Sequence, residues 1–480
     1  MALNTAFHPN ALYYGDCLEV INGGADSADR WPDACVDLIY LDPPFNSKRN
    51  YNVFFDKQSD LLRSSRAQAR AFEDTWYWDE EAKARVERLR RAAHMPKETI
   101  EGLYLIHGNT DAMSYLSYMA ERLAALRRIL KPTGSLYLHC DPTMSHSLKL
   151  LLDGVFGKDN FRNEIVWSYG LGGSSKRMFS KKHDILLFYS KGSRWTFNKP
   201  LVPATSNMLK GQMKGAASVW DIPTINNMAK ERVGYPTQKP LALLERIIKA
   251  SSNAGDIVLD PFCGCGTAVA AAQKLGRKWI GIDISSFAVE QVMARRLGRH
   301  DQEIKLLGIP EDYAACVKMT QSDPLSRFKF ERWAINKIPG MVPNIKQTGD
   351  GGIDGEGYLL TEPVEHTRKV IAQVKSGNTT ADQIRAFCHV IREQKAAAGV
   401  FITLKPISDN RTLKKNKTEL GTFRLKGASS DTYPRLQAWS MKEYFDDRRR
   451  NLPNLPPLAD PFTGKELPQP TLWDTPKTSG

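Results

Sequence analysis

The sequence predicts an α/β fold made of two domains, and three observations support this prediction. The chain has 480 residues, which is too long for one ordinary domain. Between residues 36 and 283, apolar stretches typical of buried strands alternate with helical stretches, as in a parallel sheet. A second series of strands and helices begins near residue 328, after a stretch of weak periodicity. We therefore expect a larger α/β domain followed by a smaller one.

Composition and cysteine usage predict a soluble protein of the cytoplasm. Apolar residues make up 41% of the chain, which is enough for real cores. The sequence shows no apolar run long enough to span a membrane and no charged-then-apolar leader. The seven cysteines are scattered, and the close pair Cys263 and Cys265 lacks the further ligands of a zinc site. We expect free thiols and no membrane partner.

The charge of the chain favours a polyanionic partner. The formal net charge is +14, and within residues 160–235 aromatic residues alternate with basic ones. Such a surface can hold phosphates by charge and bases by rings and amides. The residues concerned are Trp167, Tyr169, Trp195, Phe197 and Trp220, with Lys176, Arg177, Lys181, Lys182, Arg194 and Lys199. The alternative is an irregular insertion with ordinary surface lysines in a generically basic protein.

The first chemically informative stretch is a strand, residues 36–41, that runs into Asp42, Pro43, Pro44 and Phe45. Prolines cannot continue a central strand, so the chain must leave the sheet and expose Asp42 and Phe45 at its edge. The Asp42 carboxylate and the Pro43 carbonyl can accept hydrogen bonds from an exocyclic amino group. Phe45 offers a flat face for a base that has left its stack. The alternative is that Asp-Pro-Pro is only a turn.

A second strand ends in Asp260 and leads through a glycine-containing loop into a helix of small residues. Gly264 and Gly266 let the backbone pass close to a ligand that side chains would obstruct. The next strand ends in Asp283, 19 residues after Gly264, which fits an acid that binds ribose hydroxyls. The loop lacks a third glycine and any marked pyrophosphate site. A nucleoside with a phosphate-free extension, such as S-adenosylmethionine (SAM), therefore fits better than a nicotinamide dinucleotide.

With these stretches, residues 11–300 resemble the β-class amino-methyltransferases of DNA, in which a D-P-P-[YF] motif precedes the target-recognition region and an F-x-G-x-G motif follows it. The matching stretches are Asp42-Pro43-Pro44-Phe45 and Phe262-Cys263-Gly264-Cys265-Gly266, with residues 235–240 just before the second. Asp283 matches the ribose-binding acid, and Asp16 matches the acid that faces the cofactor adenine. The resemblance implies a target-recognition segment at residues 160–235. It also implies a SAM site that comprises Asp16, Lys239, Asp260, Phe262, Gly264, Gly266, Thr267 and Asp283.

The same resemblance implies the chemistry of this domain. An Asp at the first position of the motif favours N6 of adenine over N4 of cytosine. The methyl group would move by direct displacement at the sulfonium, while Asp42 and the Pro43 carbonyl orient the amine and raise its electron density. Pro44 and Phe45 complete the predicted catalytic motif. No covalent adduct with the base is required, so no cysteine has to act as a nucleophile.

The second domain contains an acid at the start of a hairpin and a polar-x-Lys sequence at the end of the next strand. Asp354 can bind a divalent ion such as Mg²⁺, together with the Gln373 side-chain oxygen and the Val374 carbonyl. Lys375 stands two residues after Gln373, so both side chains point to the same face of the strand. From there the ammonium can position or activate a water that attacks a phosphodiester, while the metal stabilises charge on the phosphate.

Residues 328–405 resemble the Mrr-like branch of the PD-(D/E)xK nucleases, whose motif has the form G-x-D … Q-x-K. The resemblance implies a nuclease site formed by Asp354, Gln373 and Lys375, with Glu331 on the leading helix as an extra acid. Asp350 is an alternative to Asp354. The competing interpretation places Asp354 in a plain glycine turn and Lys375 at a solvated strand end.

The predicted organisation is a Rossmann-like SAM methyltransferase domain followed by a smaller α/β restriction-endonuclease-like domain. The methyltransferase domain covers residues 1–300, a linker covers 301–326 and the endonuclease domain covers 327–450. Residues 433–449 fit a last amphipathic helix, and the prolines of residues 451–480 predict a tail without regular structure.

The predicted function is restriction–modification in one chain: a SAM-dependent adenine methyltransferase joined to a Mg²⁺-dependent endonuclease that acts on double-stranded DNA. Cutting two strands with one site per chain would be served by a homodimer. One alternative keeps the methyltransferase, with N6-adenine or N4-cytosine specificity, beside a DNA-binding second domain that does not cut. Another is a DNA-binding regulator without catalysis, which the presence of all the apparent catalytic side chains disfavours. Charge and base chemistry leave RNA open as a substrate.

Overall fold

The structure is a computed structural model that describes most of the chain. The described residues are 5–23, 29–44, 50–53, 69–73, 76–92, 95, 97–170, 176–204, 211–226, 229, 231–232, 238–285, 288–289, 294–297, 304–321, 326–344, 352–359, 369–407, 411–424, 431–446 and 452–459. None of the helices in these ranges is long and apolar enough to cross a membrane.

The chain separates into two compact units. The first unit consists of residues 4–50 and 74–308, and the second of residues 1–3, 51–73 and 309–480. The strands are β1 (Ala11–Tyr14), β2 (Val36–Leu41), β3 (Asn50–Val53), β4 (Ala69–Glu73), β5 (Leu130–Cys140), β6 (Phe161–Ser168), β7 (His183–Ser190), β8 (Leu201–Pro203), β9 (Met213–Gly215), β10 (Val219–Asp221), β11 (Ile257–Asp260), β12 (Lys278–Asp283), β13 (Lys305–Leu307), β14 (Val342–Pro343), β15 (Gly355–Tyr358), β16 (Lys369–Lys375), β17 (Ala398–Thr403), β18 (Thr422–Phe423), β19 (Tyr433–Pro434) and β20 (Leu436–Ser440). The helices are α1 (Cys17–Asn22), α2 (Glu80–Arg91), α3 (Lys97–His107), α4 (Asp111–Ile129), α5 (Ser145–Phe156), α6 (Leu241–Ser251), α7 (Thr267–Lys274), α8 (Ala294–Leu297), α9 (Tyr313–Met319), α10 (Ser326–Asn336), α11 (Ala381–Glu393), α12 (Arg411–Leu420) and α13 (Met441–Asp446), with a 3-10 turn at Lys158–Asn160.

A nine-stranded sheet forms the centre of the first unit, in the order β10-β6-β7-β5-β2-β11-β12-β1-β13. β7 runs antiparallel to both of its neighbours, and the other neighbouring pairs are parallel. The chain moves from β2 outward to β5, and from β11 outward to β12 in the opposite direction. The strand order therefore reverses between β2 and β11, and ligands of open α/β sheets bind at such a reversal.

The burial of β2 explains why the central strands are continuous apolar runs. Leu38 and Ile39 point to opposite faces of the sheet, yet both are fully buried. Helices on both faces of a parallel sheet produce this pattern. α4, which Thr110 caps by accepting from the Met113 N–H, packs against α1, α2 and α5 beside the sheet. A buried polar residue at the carboxyl end of such a strand, such as Asp260 at the end of β11, therefore indicates a candidate functional site.

The second unit is built on a five-stranded sheet with the order β14-β15-β16-β17-β20. β14, β15 and β16 pair antiparallel, and β16, β17 and β20 pair parallel. Thr380 and Gln383 form a capping box at the start of α11. This helix packs Ile384 and Phe387 into the same buried cluster as Phe401 of β17. The arrangement presents the carboxyl end of β16 and the start of β15 at one edge.

The predicted last helix at residues 433–449 is wrong over its first half. This segment forms β19 and β20, and helix structure is limited to Met441–Asp446 in α13. Leu436 and Trp439 are buried because β20 pairs with β17 and extends the sheet. The backbone ladder and burial of both faces therefore outweigh the helical spacing of the apolar residues.

Residues 301–326, for which the sequence predicts a linker, contain regular structure. β13 extends the first sheet, with Lys305 opposite Ala11, and α9 follows it. In the predicted tail, Leu458 is buried and forms a bridge with Leu359. Residues 460–480 lie outside the described part of the chain.

Candidate active sites in the two units

Four neighbouring strands of the first unit each have an acid at or just beyond their carboxyl end. Asp42 follows β2, Asp260 ends β11, Asp283 ends β12 and Asp16 follows β1. The strand order β2-β11-β12-β1 and its parallel pairing place these acids along one edge of the sheet. Residues that are far apart in the sequence are thus brought into one row.

Asp42 lies at the strand reversal and is bound to a lysine. The Lys239 ammonium donates to Asp42 Oδ2 at 2.5 Å, and both side chains are largely buried. Lys239 was predicted as a cofactor contact, and the structure places its ammonium on the Asp42 carboxylate. Pro43 and Pro44 follow Asp42 in irregular backbone, as predicted. Phe45 lies outside the described residues, as do Tyr235, Pro236 and Thr237 of the motif before α6.

The loop between β11 and α7 is a tight turn. The Cys263 N–H donates to the Ile282 carbonyl at 3.0 Å, and the Gly266 N–H donates to the Cys263 carbonyl at 2.7 Å. Gly264 and Gly266 have φ angles of +47° and +73°, a region that favours glycine. Thr267 then begins α7. The two glycines are therefore required by the backbone conformation of the loop.

Two carboxyl groups at the strand ends receive backbone hydrogen bonds from this turn. The Gly264 N–H donates to Asp283 Oδ2 at 2.7 Å, and the Phe262 N–H donates to Asp260 Oδ1 at 3.1 Å. Burial raises the pKa of Asp283 to about 6, although the Ser285 and Gly264 N–H groups favour its charged form. Burial also raises the pKa of Asp260 well above its usual value. Perturbed acids at a strand edge are typical of ligand sites.

Asp16 has a different environment. Its Oδ1 caps α1 by accepting from the Leu18 N–H at 2.9 Å, and its Oδ2 accepts from the Arg122 guanidinium at 2.5 Å. Arg122 also stacks on the Tyr118 ring, 3.1 Å from its centroid. Burial alone would raise the pKa of Asp16, but the charge and hydrogen bond of Arg122 more than offset it, so the pKa is lowered. Asp16 is therefore a fixed negative charge at this end of the sheet.

Arg296, which no sequence motif indicated, contacts the glycine loop. Its guanidinium donates to the Cys265 carbonyl and to Thr267 Oγ1, each at 3.0 Å. The side chain therefore ties the end of the loop to α8. It lies beyond the last motif of the sequence, so no local pattern indicated this contact.

His139, at the end of β5, bonds to residues that are distant in the sequence. The imidazole is completely buried, its Nδ1 lies 2.9 Å from the Tyr40 hydroxyl, and its Nε2 lies 3.1 Å from Asp184 Oδ2. Tyr169 donates its hydroxyl to Asp184 Oδ1 at 3.4 Å. Tyr40 precedes Asp42 by two residues, so in extended backbone the two side chains point to the same side. This spacing alone could have indicated that Tyr40 lies beside the catalytic motif.

In the second unit, Asp354 and Gln373 are brought together at the edge of β15 and β16. The Val374 N–H donates to Asp354 Oδ2 at 2.7 Å, and Gln373 Nε2 donates to the Gly352 carbonyl at 2.9 Å. Gly352 has a φ of +80°, and a Cβ there would lie 2.9 Å from Gln373 Nε2. Gly352, two residues before Asp354, thus permits the close approach of the Gln373 amide. Because Gln373 Nε2 donates to Gly352, the amide oxygen points away from Gly352.

A cavity of about 450 Å³ lies beside the end of β16. Val374 and Lys375 line it together with Arg327, Phe328 and Glu331 of α10. The cavity therefore brings the predicted lysine and the predicted extra acid to one space. Asp354 and Gln373 are nearly buried, each with 8% of its surface exposed, behind the Val374 backbone.

The oxygen atoms of this unit are of the chemical type that binds hard divalent ions such as Mg²⁺. Asp354 and Glu331 offer carboxylates, and Gln373 offers an amide oxygen. Across the described residues no three His, Cys, Asp or Glu side chains form a cluster that could hold a metal. Mg²⁺ commonly binds through one or two carboxylates plus water and substrate phosphates, so a complete protein cage is not required. The alternative acid Asp350 lies outside the described residues.

Two protein families match the chain. The model of the DNA methylase family (N6- and N4-type) matches residues 36–294, and a restriction endonuclease model of the Mrr catalytic type matches residues 325–414. Both predicted family resemblances are confirmed by these matches.

Characterised relatives point to the same family. The type II methyltransferase M.HpaI of Haemophilus parainfluenzae is 37% identical over 49% of this chain and 74% of its own length. The DNA adenine methyltransferase YhdJ of Escherichia coli strain K12 is 34% identical over 55% of this chain and 77% of its own length.

Solved structures of similar proteins include an M1.HpyAVI–SAM complex and the cytosine-N4-specific PvuII DNA methyltransferase. The first is 21% identical with a TM-score of 0.36, and it covers 60% of this chain and 98% of its own. The second is 15% identical with a TM-score of 0.40, and it covers 63% of this chain and 91% of its own. With a family model over more than half of its length, the chain belongs to the N6/N4 DNA methylase family, and it joins that methyltransferase domain to an Mrr-type restriction endonuclease domain.

Proposed function

We propose that this chain transfers the methyl group of SAM to N6 of adenine in double-stranded DNA and cuts DNA at a Mg²⁺-dependent site in its second unit. The observation that carries the proposal is the row of acids Asp42, Asp260, Asp283 and Asp16 on four adjacent parallel strands, with Asp42 at the strand reversal. The row offers one acceptor for an amine and several for the hydroxyl and amino groups of a nucleoside.

The residues of the glycine loop fit a SAM site. Asp283 can accept hydrogen bonds from ribose hydroxyls, and the positive φ angles of Gly264 and Gly266 keep the loop free of side chains on its ligand side. Asp16 supplies a fixed acceptor for an adenine amino group at the neighbouring strand. When bound, SAM supplies an electrophilic methyl group on its sulfonium.

In the methyl transfer, the Asp42 carboxylate and the Pro43 carbonyl accept the two hydrogens of the target amine. This orients the nitrogen lone pair toward the methyl donor and raises the electron density on the nitrogen. The edge of the sheet and its buried surroundings exclude water, which strengthens these hydrogen bonds. The bond between the sulfonium sulfur and the methyl would break as the N–C bond forms, with the neutral thioether S-adenosylhomocysteine as the leaving group. One amine proton would pass to solvent, directly or through Asp42, as or after the methyl arrives.

Adenine is favoured as the target base. The motif begins with Asp, and among the similar proteins YhdJ is named as an adenine methyltransferase. The PvuII methyltransferase, whose name specifies cytosine N4, is similar at only 15% identity. A duplex target fits the net charge of +14 and the basic residues of the segment at 160–235. Of the predicted stacking rings in this segment, Trp195 and Phe197 are exposed, whereas Trp167 and Trp220 are buried and cannot stack on a base.

In the second unit, Lys375 is placed to hold or polarise the attacking water. Its side chain lines the same cavity as Glu331, while Asp354 and Gln373 lie behind it on the same edge. A bound Mg²⁺ would supply charge stabilisation for the scissile phosphate. A homodimer would bring two such sites to a duplex. The near-complete burial of Asp354 and Gln373, each with 8% of its surface exposed, favours as a second candidate a DNA-binding unit that does not cut.

The test uses plasmid DNA prepared in a host without adenine methylation. We expect incubation with labelled SAM to yield N6-methyladenine after hydrolysis to nucleosides, and incubation with Mg²⁺ to yield linear plasmid. Label in N4-methylcytosine would overturn the adenine assignment. Methylation without cleavage of either unmethylated or premethylated plasmid would favour the non-cutting second candidate.

The affinity for SAM should depend on pH through Asp283. The folded pKa of about 6 means that the carboxyl is ionised above that pH and protonated below it. Ribose hydroxyls donate to the ionised form, so we expect SAM affinity to be constant above about pH 7 and to fall by up to about tenfold per pH unit below pH 6. Isothermal titration calorimetry between pH 5 and 8 measures this.

The control is Asp283→Asn, which keeps the shape of the side chain and cannot titrate. Its SAM affinity should be low and independent of pH over the same range. A wild-type affinity that stays constant down to pH 5 would show that Asp283 does not receive the ribose hydroxyls.

The affinity for DNA should fall steeply as salt rises. Lysine and arginine contacts to phosphates release counterions, and a protein with six to ten such contacts loses about 10³- to 10⁵-fold in affinity between 50 and 200 mM salt. Fluorescence anisotropy with a labelled duplex measures the slope. A flat salt response would contradict the assignment of a basic DNA-binding surface.

A further inference from the structure

Lys239 occupies the acceptor that the target amine needs. Its Nζ lies 2.5 Å from Asp42 Oδ2, and the exposed fractions of the two side chains are 12% and 16%. A charged ammonium is a stronger hydrogen-bond donor than a neutral exocyclic amine, and the pairing gains strength where water is largely excluded. An incoming amine must therefore share the Asp42 carboxylate with a stronger donor or displace that donor.

A second carboxylate lies within electrostatic reach of the same ammonium. Asp184 on β7 is largely buried, with 15% of its side chain exposed. Burial alone would raise the pKa of Asp184, but its hydrogen bond with His139 and the charge of Lys239 hold the pKa below its usual value. The ionised form of Asp184 is therefore favoured, and the strand register places Asp184 at the same edge of the sheet as Asp42, two strands away.

Asp184 is fixed by hydrogen bonds that lead back to the strand of Asp42. His139 Nε2 lies 3.1 Å from Asp184 Oδ2, and the Tyr40 hydroxyl lies 2.9 Å from His139 Nδ1. If Tyr40 donates to Nδ1, the Nε2–H donates to Asp184 and both ring nitrogens are satisfied. His139 is completely buried, so water does not compete for these bonds. The hydrogen bonds thus connect Asp184 on β7, through His139 on β5, to Tyr40 on β2, and these three strands are adjacent.

We propose that Lys239 is a displaceable occupant of the amine site and that Asp184 is the positioning residue that receives its ammonium when adenine enters. Before entry, Lys239 compensates the charge of a largely buried carboxylate. During transfer, positive charge develops on the amine nitrogen, and an ammonium on Asp42 would oppose it. On Asp184 the ammonium is neutralised by another carboxylate. This inference rests on the proposed methyl transfer.

The test is a double-mutant cycle of Asp184→Asn and Lys239→Met. Asp184→Asn keeps the shape of the acceptor and removes its charge, so Lys239 should stay on Asp42. We expect kcat/KM for DNA to fall at least about tenfold, mostly through KM, while SAM affinity is unchanged. Adding Lys239→Met removes the occupant, and it should restore kcat/KM at least about fivefold over Asp184→Asn alone, as contacting residues do not act additively.

The control is Asp159→Asn, the same substitution at an exposed aspartate of the 3-10 turn, which should match the wild type. Unmethylated genomic DNA is the substrate, so that the target sequence need not be known. A double variant no better than Asp184→Asn would show that Asp184 is only structural and would overturn the inference alone. A wild type that methylates no DNA would overturn the proposed function and this inference with it.

A crystal structure tests the same point without relying on variants that could fail to fold. The complex would contain the wild-type protein, a SAM analogue that lacks a transferable methyl, and a duplex with a site mapped by the methylation assay. We expect the target amine on Asp42 and Lys239 Nζ within hydrogen-bond distance of Asp184. A Lys239 that still contacts Asp42 beside the bound base would overturn the proposal.

Discussion

Replacing Asp42 with alanine is expected to lower the rate of methyl transfer about a thousandfold or more, because the amine loses the acceptor that orients and polarises it. SAM binding should stay close to the wild-type value, since the hydrogen bond from the Gly264 N–H to Asp283, which holds the glycine loop, does not involve Asp42. Single-turnover methylation with labelled SAM measures the rate, and calorimetry measures the affinity.

Asp42→Asn separates two contributions of this side chain. The amide oxygen can still accept a hydrogen bond but carries no full charge, so its rate should fall between those of the wild type and Asp42→Ala. The exposed Asp159→Ala serves as the matched control and should retain the wild-type rate. Methylation at the wild-type rate by Asp42→Ala would refute the assignment of Asp42, and a loss of SAM binding by the same variant would indicate a folding defect.

The sequence was sufficient to predict that acids lie at the ends of these strands. Asp42, Asp260 and Asp283 each end or follow a short apolar run, and the carboxyl ends of parallel strands share one edge. The strand order that places Asp16 and Asp283 on neighbouring strands could not be predicted, because β1 and β12 are separated by most of the first unit. Local patterns determine which residues end a strand, and long-range packing determines which strands are adjacent.

The contacts of Lys239, His139, Asp184 and Arg296 show the limit of the sequence. Each of these side chains bonds to a residue on another strand or loop, so no spacing rule connects the partners. The helix prediction for residues 433–440 was wrong for a related reason. Their apolar residues have helical spacing, but residues 436–440 pair with β17 as a strand. Structural information was therefore needed for the side chains that surround the motif, although not for the motif itself.

Replacing Lys375 with alanine is expected to reduce DNA cleavage about a hundredfold or more and to leave methylation unchanged. Lys375 ends β16 and lines the cavity that Glu331 also lines, and in the proposed mechanism its ammonium holds the attacking water. The methyltransferase residues belong to the first unit and do not include Lys375. Cleavage is measured as conversion of supercoiled plasmid to nicked and linear forms with Mg²⁺, and methylation is measured with labelled SAM in the same preparation.

Lys405→Ala is the matched control, because Lys405 is an exposed lysine of the same unit that stands just after β17. It should cut at the wild-type rate. Cleavage by Lys375→Ala at the wild-type rate would mean that the nuclease site lies elsewhere or that a contaminating nuclease is present. Asp354→Ala, purified by the same route, separates these two outcomes, because a contaminant would cut in that preparation as well. Activity that is lost in both Lys375→Ala and Asp354→Ala but kept in Lys405→Ala would assign cutting to the edge where Asp354 accepts from the Val374 N–H. The second unit would then supply restriction to a chain whose first unit supplies modification.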